Sequence, residues 1–154
     1  MATFEEIPWK TPRPQSDAVI NERSAWSNKA FVKLLREQGH DAKVLNVLTD
    51  ELGGPHDLVI ANAVFLHFKS AELKAVLKKI YASLQPGGTL AFTVKKGTGS
   101  GWSAEKMNGP RFFCYWQAQP LRKVVADTGF TNIELAEAKT TNANWLQIIA
   151  RKSL

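Results

Sequence analysis

The feature that most constrains this chain is a pair of apolar runs separated by one amphipathic stretch. Asp57-Leu58-Val59-Ile60-Ala61-Asn62-Ala63 is nearly continuous in apolar character, the pattern of a strand buried on both faces of a parallel sheet. Ser70 can cap the helix that follows, in which Leu73, Val76, Leu77, Ile80 and Leu84 recur at helical spacing. Gln85-Pro86-Gly87-Gly88 stops that helix, because Pro cannot continue it and Gly admits a left-handed turn. Thr89-Leu90-Ala91-Phe92-Thr93-Val94 then reads as a second buried strand. Two such strands joined across a helix make a right-handed βαβ unit, so the chain is α/β with at least one parallel pair.

The flanking elements are weaker. Residues 1–16 hold Pro8, Pro12 and Pro14 without any period, which predicts an extended arm with Trp9 as an anchor. Residues 17–154 then form a single domain. Ser27-Asn28 opens a helix with Ala30, Phe31, Leu34 and Leu35 on one stripe, ending at Gly39. Lys43 to Leu48 reads as a strand bounded by Gly53-Gly54-Pro55. Beyond the βαβ unit, a polar loop runs from Lys95 to Gly109, followed by the aromatic block Phe112-Phe113-Cys114-Tyr115-Trp116. A helix over about 119–128 and two strands, Ile133–Ala136 and Trp145–Ala150, complete the chain. Their link, Lys139 to Asn144, is short enough for an antiparallel hairpin.

Composition excludes several classes. A chain of 154 residues, 44% hydrophobic and 22% charged, can bury a core without disulfides or metals. Its apolar stretches are far shorter than the roughly 20 residues of a spanning helix, and no basic-then-apolar start suggests secretion. A cytoplasmic protein without membrane contact is expected. One cysteine, Cys114, cannot make an internal disulfide, and no spaced Cys/His set predicts a metal site. From Lys69 to Lys123, ten Lys and Arg are opposed only by Glu72 and Glu105. Such a stretch can attract nucleic acid, but a solvated helix face with loop lysines is the favoured reading.

Local motifs carry little on their own. Gly97-Thr98-Gly99-Ser100-Gly101 follows a strand, yet it lacks GxxxxGK[ST], and a GxGxxG would need glycine at Trp102. A mobile lid over a ligand ranks above a phosphate cradle, and an ordinary loop above both. Nothing in the sequence brings Cys114 to His67 as a thiolate–imidazole pair, and a lone Cys in an aromatic run is usually buried. His67 itself sits just past the carboxyl end of a buried strand, where open α/β sheets place ligand residues.

Three segments, in order, carry a family resemblance. They are Asp57 to Phe68 (a strand and its following loop), the turn Leu84-Gln85-Pro86-Gly87-Gly88-Thr89-Leu90, and the helix end Asp127-Thr128-Gly129-Phe130 before a further strand. From about Ser27 onward the chain resembles class I S-adenosylmethionine-dependent methyltransferases, with these segments similar to the fourth strand, the LxPGGxL turn and the AGF segment. The resemblance implies a three-layer Rossmann-like sheet, mostly parallel with an antiparallel C-terminal hairpin. It also implies S-adenosylmethionine as cofactor, lined by Asn62 and Ala63, with Asn46 at its adenine. His67 would be the catalytic base, and the acceptor, a small or medium-sized molecule, would meet Lys95, Trp102, Arg111 and Tyr115.

The chain departs from the family at its start. No D-x-G-x-G-x-G loop precedes residue 50, and the first glycine is Gly39. The acid expected at the ribose aligns near Trp26, with Glu22 the nearest carboxylate. The resemblance therefore lacks the usual first strand, which sits at the centre of the family's sheet. Either the Val44 strand pairs directly with the Val59 strand, or a homodimer or a partner chain seals an exposed edge; Ala18 to Ile20 is another candidate filler. Three functional readings stand: a methyltransferase with a rearranged or partner-completed cofactor site, an inactive methyltransferase-like binding or regulatory module, and a fragment or one half of a split enzyme.

Overall fold

The computed structural model describes residues 32–103 and 111–154. The arm over 1–16, Ala18 to Ile20 and the start of the Ser27 helix lie outside the described residues. The chain divides into two compact units, one of Met1–Asn46 with Trp102–Arg111, the other of Val47–Gly101 with Phe112–Leu154.

In the first unit, residues 32–37 are helical, and the helix closes at the expected glycine. Gly39 N–H donates to Arg36 O at 3.0 Å and His40 N–H to Leu35 O at 3.0 Å. The Arg36 guanidinium reaches on to the Ala42 carbonyl at 2.6 Å. The expected Lys43–Leu48 strand does not form: residues 40–46 have no regular structure and 47–49 make a turn. A strand persists only where a neighbour takes its hydrogen bonds, and here carbonyls go to a side chain instead. In the second unit, Lys79 Nζ donates to Val47 O at 2.9 Å and to Asp50 O at 2.6 Å.

The second unit is built on a four-stranded sheet. Its strands are β1 (His56–Ala61), β2 (Leu84–Lys95), β5 (Thr131–Thr140) and β6 (Ala143–Arg151), in the order β1-β2-β6-β5. β1 runs parallel to β2, while β6 is antiparallel to both β2 and β5. Three of these four strands thus share one direction, and the C-terminal pair is the expected hairpin. That hairpin is tighter than the sequence indicates, because Thr140 pairs with Ala143 and its hydroxyl closes the turn on Ala143. β3 (Ser100–Ser103) and β4 (Arg111–Cys114) form a separate two-stranded sheet.

The helix between β1 and β2, α1 (Ser70–Ser83), begins one step differently from expectation. Ser70 is its first helical residue, and the cap is the Glu72 carboxylate, which accepts the Lys69 N–H at 2.7 Å. Its apolar stripe, Leu73, Val76, Leu77 and Ile80, is fully buried with Leu121 and Val125 of α2 (Ala118–Asp127). Against them lie alternate residues of two strands, Leu90, Phe92 and Val94 of β2 and Leu146, Ile148 and Ala150 of β6. Leu84 opens β2 instead of continuing the helix, and the expected turn residues Gln85 to Gly88 lie within that strand, in the stretch where its register with β1 shifts. Gly87 has φ +77°, and a Cβ on Gly88 would stand 2.9 Å from Gln85 O and 3.0 Å from His56 O.

One expectation about burial is corrected. β1 is not covered on both faces: Leu58 is 53% and Ile60 67% exposed, while Ala61 is buried. Ile60 aligns with Ala91 of β2 and through it with Ile149 of β6, itself 45% exposed. The described residues of this unit supply two layers of the expected three, a sheet and helices on one face. With only one strand and one helical layer beside it, β1 is an edge among the described residues, and its apolar run has a wet side.

The glycine-rich stretch is tied down at its start. Tyr115 N–H donates to Gly99 O at 3.0 Å and Gly97 N–H to Trp116 O at 3.0 Å, which ties residues 97–99 to the aromatic block. Lys96 bridges to Trp116 in parallel register.

Candidate functional site

Two clusters occupy the carboxyl ends of β1 and β2. The first forms where β1 ends: Ala61 pairs with Phe92, so the next residue, Asn62, comes level with Thr93. The Thr93 hydroxyl donates to Asn62 Oδ1 at 2.8 Å and accepts the Ala63 N–H at 2.8 Å. Ala63 takes φ +55°, a left-handed conformation that costs a non-glycine residue on the order of 1 kcal/mol. The hydrogen bond to Thr93 holds the chain in that turn. Asn62 and Ala63 are both exposed beyond the strand end, as the resemblance implied.

The second cluster gathers around Phe113. The 3₁₀ turn Phe65–His67 is pinned by Phe65 and Leu66, each 2% exposed, with the Phe65 ring 5.1 Å from Phe92. This places His67, whose Nδ1 lies 2.8 Å from the Phe112 carbonyl. A carbonyl only accepts, so Nδ1 carries the proton and Nε2 is the basic nitrogen of the neutral ring. The His67 ring lies 5.0 Å from Phe113, Lys95 Nζ sits 4.2 Å from the same ring's centre, and Tyr115 stacks on it at 6.3 Å. Thr93 and Lys95 are two apart on β2, hence on one face and about 7 Å from each other, which links the clusters.

The aromatic block owes this to alternation. Cys114 and Trp116 are 9% and 7% exposed and enter the core, while Phe113 and Tyr115, on the opposite side of the chain, are half-buried. Burial pushes the Cys114 thiol above its ordinary value of 9.0, the reverse of a reactive thiolate. Trp116 Nε1 has no hydrogen-bond partner among the described residues.

Of the residues singled out in the sequence, His67, Lys95 and Tyr115 converge on Phe113, and Asn62 and Ala63 on Thr93. Asn46, Trp102 and Arg111 belong to the other unit. Thr93 and the Phe112 carbonyl were not legible as site groups. The one sequence signal for Thr93 is its polarity on the face opposite Phe92 and Val94. Several basic side chains of the Lys69–Lys123 stretch are engaged internally. Lys96 pairs with Glu137 at 2.6 Å, Lys123 with Asp127 at 2.7 Å, and Arg122 donates to Ile133 O at 2.7 Å. Among the described residues, no group of three His, Cys, Asp or Glu could hold a metal ion, and no helix is long and apolar enough to cross a membrane.

Residues 7–135 match the family of methyltransferase domains, and the chain belongs to that family. No curated protein matches it. Solved structures share the fold at low identity. One is the 1,6-didemethyltoxoflavin-N1-methyltransferase of Burkholderia thailandensis, with bound 1,6-didemethyltoxoflavin and S-adenosylhomocysteine. It is 18% identical, with a TM-score of 0.64 over 80% of this chain and 56% of that one. A S-adenosylmethionine-dependent methyltransferase of Methanosarcina mazei gives 15% identity and a TM-score of 0.66, over 82% of this chain and 79% of that one. Human N-acetylserotonin methyltransferase, in complex with S-adenosylmethionine, gives 17% and 0.56, over 86% and 39%. The chain thus spans little more than half of the toxoflavin enzyme and well under half of the human one.

Proposed function

We propose that this protein is a S-adenosylmethionine-dependent methyltransferase acting on a small acceptor. The observation that carries the reading is the pair of clusters at the carboxyl ends of adjacent parallel strands, in a chain of the methyltransferase-domain family. The residues fit such a cofactor: Asn62 has Oδ1 engaged by Thr93, which leaves its amide N–H groups to offer an acceptor oxygen. Exposed Ala63, turned left-handed beside it, adds little bulk where a ligand approaches. Solved relatives of the same fold carry S-adenosylhomocysteine or S-adenosylmethionine, which supports the assignment.

When bound, the cofactor supplies an activated methyl group. The chain's own part is alignment, exclusion of water and a base for acidic acceptors. Phe113 and Tyr115 offer flat apolar surface to a ring, and Lys95 sets a positive charge at its edge. His67, oriented by the Phe112 carbonyl, is the residue for taking a proton from the acceptor atom. Replacing it tests the assignment. With an acceptor in hand, His67→Ala should lower turnover by about 10²-fold or more while S-adenosylhomocysteine affinity is kept. Unchanged turnover would remove His67 from the chemistry.

A second chain at the β1 edge is part of the same proposal. Leu58, Ile60 and Ile149 leave apolar surface exposed beside a strand with one neighbour among the described residues. The partner that fits is another copy, because a two-fold axis at this edge would set β1 antiparallel to its mate and bury both patches.

A further inference from the structure

Thr93 belongs to no assignment made so far, yet it is the group through which two candidate cofactor residues are held. We infer that Thr93 is a positioning residue for cofactor binding, acting through the Asn62 side-chain amide. The inference rests on the proposed cofactor role of Asn62 and deepens it.

The argument follows the direction of the hydrogen bonds. The Ala63 amide can only donate, so the Thr93 oxygen accepts from it at 2.8 Å. The same hydroxyl donates its hydrogen to Asn62 Oδ1, also at 2.8 Å. An exposed asparagine is otherwise at liberty to turn about its last side-chain bond and present either oxygen or nitrogen. Here the Thr93 hydroxyl, held in place by the backbone of the next residue, donates to the side-chain oxygen. Asn62 is thereby committed to presenting Nδ2, a donor of two hydrogen bonds, and the ligand group that suits it is an acceptor oxygen such as a carboxylate or ribose hydroxyl. Because Thr93 lies on the strand while Asn62 and Ala63 lie beyond one, the flexible side of the site is registered against the rigid side. A donor fixed in advance loses less freedom when the ligand arrives.

The test is a titration of the full chain with S-adenosylhomocysteine, read together with thermal melting. Thr93→Val keeps the shape and deletes the hydroxyl, and it should weaken binding about ten-fold, whereas Thr93→Ser should stay within about two-fold of wild type. Asn62→Ala should also weaken binding, and adding Thr93→Val to it should cost little more, since Thr93 acts through Asn62. Asn62→Asp supplies a check that leaves Thr93 untouched. It keeps an oxygen for the hydroxyl but removes the amide donors, and should bind as weakly as Asn62→Ala with the melting temperature retained. Binding by Thr93→Val equal to wild type, additive losses in the double variant, or full affinity in Asn62→Asp would each overturn the inference. Absence of binding by the wild-type chain is a distinct result, which removes the cofactor reading itself and the role of Thr93 with it.

Discussion

At the scale of single residues, the candidate site is organised by atoms that have only one hydrogen-bonding role to play. The Phe112 carbonyl takes its hydrogen bond from His67 Nδ1, and the Thr93 hydroxyl accepts from the Ala63 amide while donating to Asn62 Oδ1. Cys114 is the residue whose protonation does couple to folding. Burial raises its folded-state value above the ordinary 9.0, so its contribution to stability is complete below pH 9.0 and is lost as pH rises past that toward the folded value. Urea denaturation of wild type and Cys114→Ala across neutral to alkaline pH should show the wild type losing ground to the variant only above that point. A constant difference between the two would mean that the thiol titrates alike folded and unfolded. The same burial predicts that alkylating reagents reach Cys114 only after unfolding.

At the scale of elements, the βαβ unit was the legible part of the sequence, and the reason is that its signals are local. The stripe Leu73, Val76, Leu77 and Ile80 meets the sheet wherever the rest of the chain goes, and Gly87 is required by its own positive φ at the start of β2. Gly88→Ala should therefore cost about 2 kcal/mol, measured by chemical denaturation, because two backbone oxygens leave its Cβ no room and neither can swing aside. Stability within about 0.5 kcal/mol of wild type would show that this part of β2 can shift at little cost. What could not be read was whatever depends on neighbours. Lys43 to Leu48 has the composition of a strand, but no described strand receives it, and the backbone carbonyls of Val47 and Asp50 bond to Lys79 instead. Leu58 and Ile60 looked like core for the same reason: apolar sequence states that a face would be buried, not that something lies against it. In the site, His67 and Asn62 were visible from their place after a strand. Thr93 and the Phe112 carbonyl were not, because a side chain in mid-strand and a backbone oxygen acquire their roles only from the tertiary pairing.

At the scale of the whole molecule, exposed Ile60 and Ile149, aligned through half-buried Ala91, and β1, an edge among the described residues, set the expected oligomeric state. Light scattering across a concentration series should show a dimer that Ile60→Lys shifts toward monomer, since a charge in a buried apolar contact is strongly unfavourable. A monomer at all concentrations in the wild type would mean that this surface is not sealed by a second copy. The central claim is nevertheless the cofactor site at the carboxyl ends of β1 and β2, and it is tested most directly by calorimetric titration of the purified chain. With S-adenosylmethionine and S-adenosylhomocysteine, the account predicts saturable binding in the micromolar range that weakens in Asn62→Ala. No heat of binding up to millimolar ligand, from monomer or dimer, would contradict it.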